Sequence, residues 1–228
     1  MSGRGVILKN MSQTHVRKVK ADQIAALRAQ VAELEGSETV AGEVLPVMAS
    51  LNSCLPGGGF PRQQVTHMAN CPALVVEIIA QASAAGKYIA VIGWPDLSLV
   101  QVGESGDLSK VVAIPDPGAD AWALVGILAE GIDMIVCRGP EVTLSPARAR
   151  PALAKIRGGQ AAVLSVGTRI PGAGVQVAAE VVAYRGIGRG TGRIRGFDIA
   201  VQVRSKGTHG PARTVVTCGQ PKALRSCA

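Results

Sequence analysis

Three segments of this chain, Lys87–Gly93 (KYIAVIG), Asp133–Cys137 (DMIVC) and Ala161–Gly167 (AAVLSVG), are apolar, rich in β-branched residues and free of alternation. A strand with water on one face alternates apolar and polar side chains, whereas a strand covered on both faces has no reason to. Between these runs lie longer apolar segments, Ala73–Ala85 and Asp120–Glu130, and the more polar Pro146–Arg157, all of helical length. Short strands are expected at Gln64–Ala69 and Lys110–Ile114. Strands that alternate with helices imply a parallel sheet wrapped by helices.

The pattern changes after Gly167. Val175–Tyr184 and Ile194–Arg204 read as strands with no helix between them, which predicts an antiparallel hairpin at the sheet edge. Their connection, Gly186–Gly192 (GIGRGTG), has the spacing of a dinucleotide fingerprint but opens no helix, so it reads as a flexible hairpin loop. Thr214–Cys218 (TVVTC) adds an edge strand, and the residues from Gly219 read as a mobile basic tail. Upstream, residues 37–58 form a connector with a short strand at Val44–Ala49. The first helix, Val16–Leu34, carries Ile24, Leu27, Val31 and Leu34 at spacings of three and four, a narrow seam suited to docking on a partner or on its own domain. The fold expected is therefore α/β, a mostly parallel sheet flanked by helices, with an N-terminal helix and a C-terminal antiparallel β-hairpin. Its divisions are an arm at 1–36, a core at 37–210 and a basic tail at 211–228.

Charge is unevenly divided. Residues 1–137 hold 9 Lys/Arg against 13 Asp/Glu, and residues 138–228 hold 15 against 3. A basic surface on the C-terminal part suits nucleic acid or an acidic partner. The six aromatics (Trp 2, Tyr 2, Phe 2) leave little for base stacking, so any DNA binding is expected to be weak in sequence preference. Five cysteines form no CxxC pair and the three histidines have no metal-ligand spacing, which argues against structural zinc. No run approaches the ~20 apolar residues of a bilayer span, and the first residues lack the core of a secretory signal. A reduced, cytoplasmic chain without a cofactor or membrane attachment is expected.

The order of these elements resembles the RecA recombinase fold from about Gly36 to Gly210. Gly57-Gly58-Gly59-Phe60-Pro61 is similar to the family's GGLP turn. Ala84–Lys87 leading into Tyr88–Gly93, Gly131–Val136 at the Walker B strand, and Phe197–Lys206 at the late basic strand follow in the family's order. The departures fall on the nucleotide site. A phosphate cradle needs GxxxxGK[ST], because backbone N–H groups and a lysine neutralise the phosphates. Here the first strand leads into Asn70-Cys71-Pro72-Ala73-Leu74-Val75-Val76-Glu77, with no glycine and no lysine, and with a proline that lacks an N–H. The Walker B strand ends on Cys137 or Arg138 instead of a metal-organising aspartate. The segment that carries the family's catalytic glutamate reads Gly93-Trp94-Pro95-Asp96. ATP turnover is not expected.

A RecA-like chain of this length without nucleotide motifs, and with a heptad-like first helix, is similar to the ImuA group in its actinobacterial ImuA′ form. That resemblance implies a non-catalytic accessory protein of SOS-induced, error-prone translesion DNA synthesis. It also implies an ImuB-like Y-family polymerase homologue as direct partner and an error-prone C-family polymerase as indirect partner. RecA and weakly bound, non-specific DNA are further candidate partners. The alternatives are a DNA-binding or RecA-filament-modulating protein that uses the basic half directly, or a SulA-like division inhibitor.

Candidate residues follow from both lines. The family's DNA-binding loops correspond to Gly139–Pro151 and Thr168–Val175, in or beside which lie Arg148, Arg150, Lys155, Arg157 and Arg169. Partner docking is assigned to the seam Ile24, Leu27, Val31 and Leu34, and to the late edge strand with Arg213, Val215 and Val216. His67 and Met68 read as core residues, and Ser53 beside Cys54 has no base that the sequence places near it.

Overall fold

The computed structural model describes residues 44–207 and 210–219. The seam residues Ile24, Leu27, Val31 and Leu34, and the tail beyond Gly219, lie outside the described residues.

The apolar runs fold as their lack of alternation predicts. Strands β3 (Val65–Met68), β4 (Ile89–Ile92), β5 (Val111–Ile114), β6 (Met134–Arg138) and β7 (Ala162–Val166) alternate with helices α2 (Pro72–Ala84), α3 (Val100–Ser105), α4 (Ala121–Leu128) and α5 (Pro146–Gly158). Ahead of them, β1 (Val44–Pro46) and β2 (Gly59–Pro61) pair antiparallel around the short helix α1 (Ala49–Asn52). The strand expected at Val44–Ala49 thus stops at Pro46 and gives way to α1. After β7 come β8 (Val175–Gly188), β9 (Thr191–Ser205) and β10 (Ala212–Gly219).

Eight strands form one sheet in the order β10-β9-β8-β3-β7-β6-β4-β5. From β8 to β5 all neighbours are parallel, and β9 is antiparallel to both β8 and β10. The expected class is the observed one: α/β, mostly parallel, flanked by helices and closed by antiparallel C-terminal strands.

Helix starts are set by local chemistry. Pro72 and Pro146 occupy first-turn positions, where a missing N–H costs nothing. The Asp120 carboxylate accepts from the Ala123 N–H (3.0 Å), and Ser145 Oγ accepts from the Arg148 N–H (3.4 Å), capping α4 and α5. Two apolar clusters sandwich the parallel strands. Met134 and Val136 of β6 face the α2 side with Leu74, Val75 and Ile79, while Ile135 and Cys137 face Val125, Ala149 and Ile156 of α4 and α5. At the start of the strands Arg62 Nη2 donates to Asp133 Oδ1 (2.8 Å), and Asp133 Oδ2 accepts from the Tyr88 N–H (3.0 Å). These bonds outweigh the partial burial of the Asp133 carboxyl and hold it below the usual carboxylate range.

The antiparallel wing departs from the sequence reading in two places. The β8–β9 ladder continues to Gly188↔Thr191, so the expected loop at Gly186–Gly192 is a two-residue turn, Arg189-Gly190, on a long ribbon. The edge strand expected at Thr214–Cys218 is present and longer, registered from Ala212↔Val203 to Gly219↔Gly196. Residues 212–219, grouped above with the tail, therefore belong to the sheet.

Candidate functional site

In open parallel sheets, ligands collect where the strands end and the following loops diverge. At that edge a crevice of about 610 Å³ opens beyond β4, β5, β6 and β7, between the first turns of α4 and α5. Gly93, Pro117, Trp122, Arg138, Arg148 and Thr168 are among its walls.

The groups at the ends of β4 and β6 neutralise each other. Arg138 Nη1 donates to Asp96 Oδ1 (2.9 Å), and its guanidinium lies 5.2 Å from the centre of the Trp94 ring. Next to it, burial pushes the Cys137 thiol up to about 12, so this sulfur stays protonated and packs as an apolar atom. Beyond β3, buried Cys71 precedes Pro72, and the Glu77 carboxylate accepts from Gln81 Nε2 (2.7 Å) and from Gln101 Nε2. Each carboxylate at the positions compared above with a nucleotide site is thus committed to a protein donor.

The loops after β6 and β7 are zipped to one another. The Gly139 N–H donates to the Val166 carbonyl (3.0 Å), Arg169 N–H to Val142 O (2.8 Å), and Leu144 N–H to Arg169 O (2.9 Å). Thr168 Oγ1 donates to Pro140 O (2.9 Å), and a parallel bridge joins Thr143 to Arg169. Gly167 allows this contact: its φ is +81°, and a Cβ there would strike the Gly139 carbonyl oxygen. His67 of β3 anchors the pair from below, its Nε2 accepting from the Ile170 N–H (2.9 Å). Burial first, and the positive Arg169 second, hold this imidazole below its ordinary pKa and favour the neutral form that can accept.

The five basic residues expected to form one nucleic-acid surface separate along this architecture. Exposed Arg148 lines the crevice, and exposed Arg169 sits on the zipped loops. Arg150, two residues further along α5 and about 200° around the helix from Arg148, is exposed. Lys155 and Arg157 lie in the last turn of that helix, about 10 and about 13 Å down its axis from Arg148. They face the negative end of the helix dipole, a position that stabilises the helix whatever else they touch. On β10, Arg213 is exposed and Val215 is 53% exposed, but Val216 is 1% exposed and belongs to the core. Of the three β10 residues assigned to partner docking, only Arg213 and Val215 have exposed side chains.

Sequence reasoning missed the pairing of Arg138 with Asp96, since 42 positions separate them and nothing local signals it. It also missed the shape of the basic ribbon, although Arg185, Arg189, Arg193 and Arg195 with no acid between them were visible.

Fold and edge together define a class, an α/β protein with a cationic rim where its parallel strands end. The family model described as MT3502 N-terminal domain matches residues 53–172 of the 228, just over half of the chain and most of the parallel core. The uncharacterized protein Rv3395c of Mycobacterium tuberculosis is 31% identical over 196 residues, covering 82% of this chain and 93% of that protein. The chain belongs to the MT3502 N-terminal domain family. Among solved structures it is similar in fold to the RadB recombinase, with a TM-score of 0.47 and 12% identity over 74% of this chain and 92% of that one.

Proposed function

We propose that this protein is a non-catalytic, cytoplasmic accessory factor of SOS-induced, error-prone translesion synthesis, a RecA-like chain of ImuA′ type. It docks with an ImuB-like polymerase homologue and through it with a C-family polymerase. The observation that carries the non-catalytic part is the Arg138–Asp96 pair. A nucleotide-hydrolysing site needs an available carboxylate and a lysine-bearing cradle around Mg²⁺ and phosphate. Here a guanidinium stands at the end of β6, holds the nearby acid, and would compete with a metal ion for it. Pro72, at the start of α2, adds a first turn that lacks one N–H. The exposed strand β10, with Arg213 and Val215, offers an edge for a partner. No helix among the described residues is long and apolar enough to cross a membrane.

Two measurements test this reading. Calorimetry with millimolar Mg-ATP is expected to be flat, and a saturable micromolar signal would overturn the non-catalytic part. Affinity capture of the full chain from DNA-damaged cells is expected to return the ImuB-like partner and the C-family polymerase, and a division protein in their place would overturn the rest. A second reading, direct DNA binding, is favoured by Arg169 on the zipped loops and Arg148 in the first turn of α5, which follows one of them.

A further inference from the structure

β8 pairs with β3 only from Val175 to Val177 and then continues for eleven residues past the end of that strand. Since β8 runs parallel to β3, the β8–β9 ribbon projects by roughly 30 Å from the same edge of the sheet that carries Arg148 and Arg169. β10 supports it as far as Gly196, and beyond that register the ribbon has, among the described residues, no strand on either side. From Val181 to Phe197 it contains four arginines and no acid.

One arginine is structural. Arg185 donates to the Asp198 carboxylate and, through Nη2, to the Cys218 carbonyl (2.7 Å), fastening the root of the ribbon to β10. Thr217 Oγ1 donates to the same carboxylate (3.1 Å). Arg189 at the turn and Arg193 and Arg195 on β9 are exposed, and among the described residues none has an acidic partner. Alternation along β9 places Arg193 and Arg195 on one face. Glycines at 186, 188, 190 and 192 leave alternate positions without side chains. At Gly192, with φ +94°, a Cβ would run into the Gly186 carbonyl, so the two strands press together without side chains between them. Ile187 and Ile194 are 58% and 53% exposed beside these arginines.

We propose that this ribbon is a DNA-binding arm, and that Arg189, Arg193 and Arg195 contact the phosphates of duplex DNA. A two-stranded ribbon is of a size that the duplex major groove, about 12 Å wide, admits. Cations without acidic partners, distributed along a projecting arm that leaves the same edge of the sheet as Arg148 and Arg169, match a polymer that carries charge at every step. The exposed aromatic Tyr184 lies at the root of the arm, and between Arg185 and Gly196 there is none, so the projecting part offers no ring on which to stack an unpaired base, which favours duplex over single strand. This inference does not depend on the polymerase-accessory reading, because it concerns only what the arm itself touches.

The test uses the full chain and a fluorescent 20-base-pair duplex, with anisotropy followed across a salt series. The combined Arg189→Gln, Arg193→Gln, Arg195→Gln variant is expected to bind about 50-fold more weakly at about 0.1 M salt, with the salt slope reduced by 2 to 3, since each phosphate contact contributes about 0.9. Replacing the same three residues by Lys should restore most of the affinity, because a phosphate accepts a point charge. Lys87→Gln with Lys110→Gln, at the opposite edge of the sheet, should change binding by less than about threefold. Equal losses in the arm and control variants would overturn the proposal by making the effect one of net charge. It would also be overturned if the arm variant lost affinity for a poly-glutamate peptide while keeping it for DNA, which would make the arm a dock for an acidic protein. Failure of either kind leaves partner capture and nucleotide titration unaffected, so it is distinguishable from failure of the accessory reading.

Discussion

In β7 every residue is buried, and in β6 only the last is not, whereas along the first half of β8 buried Val175 and Val177 alternate with exposed Gln176, Ala178 and Glu180. Both regions belong to one sheet. They differ in what lies against them. β6 and β7 have α2 on one side and α4 with α5 on the other, while β8, β9 and β10 bury one face on the α2 side and leave the other to water. The parallel half presents only the crevice and loops at its strand ends, whereas the antiparallel wing has, among the described residues, an uncovered face, an unpaired edge and a projecting arm. Surface available for recognition is concentrated where helices run out.

The comparison breaks most visibly if the wing proves to be an appendage. A chain ended after Pro211 would lose β10, unpairing the edge of β9 and removing buried Val216 and Cys218 from the core. At roughly 2 kcal/mol for each buried side chain, the expected loss is about 4 kcal/mol, a large share of the stability of a domain this size. Urea unfolding measures it. A truncated chain with an unchanged midpoint would return residues 211–219 to the tail that composition suggested.

A matched pair of substitutions sharpens the contrast between the two halves. Ile135→Ala removes a fully buried side chain between β6 and helices α4 and α5, where the neighbours cannot collapse, and should cost about 3 kcal/mol. Val215→Ala, on the uncovered face of β10, should stay within about 0.5 kcal/mol. If Val215→Ala proves as damaging as Ile135→Ala, something covers that face in solution, and the partner edge assigned to β10 gains a concrete location.

The same contrast explains what was legible in the sequence. Burial on both faces writes a continuous β-branched run, so β4, β6 and β7 were found within two residues of their ends. Helix α3 was missed because its six residues begin without a side-chain cap and follow a proline-containing loop. The ribbon was read as a flexible loop because glycine is a loop signal. Here glycines at 186, 190 and 192 take positive φ and let a strand pair bend without breaking. Composition flagged the arginines near the site, but which of them share a surface depends on where α5 runs, and that divided Arg148 from Lys155 and Arg157. The zipper between the loops after β6 and β7 joins residues more than twenty positions apart through backbone groups. Apart from Gly167 and Thr168, whose identities the contact requires, backbone bonds of that kind leave no mark on side-chain identity.

That zipper supplies the smallest effect and the finest test of how the rigid half governs the cationic rim. His67 belongs to the parallel core, yet its Nε2 holds the Ile170 N–H of the second loop, and a protonated ring has no lone pair there to accept with. Burial and the charge of Arg169 lower its pKa in the fold, so between that lowered value and the ordinary histidine range the unfolded chain binds the extra proton and the folded chain does not. The contribution of this contact is therefore complete above the ordinary value, declines as pH falls through the window, and is exhausted below the folded value. Amide exchange, corrected for its intrinsic pH dependence, should show protection at Ile170 falling a few-fold between pH 7 and pH 5, while Val163 in β7 stays unchanged. His67→Phe should lower protection at Ile170 at every pH and remove the dependence. If instead Ile170 and Val163 respond alike in the native chain, the loop does not hang on His67, and the position of Arg169 at the rim must be set by the backbone bonds to Val142 and Leu144 alone.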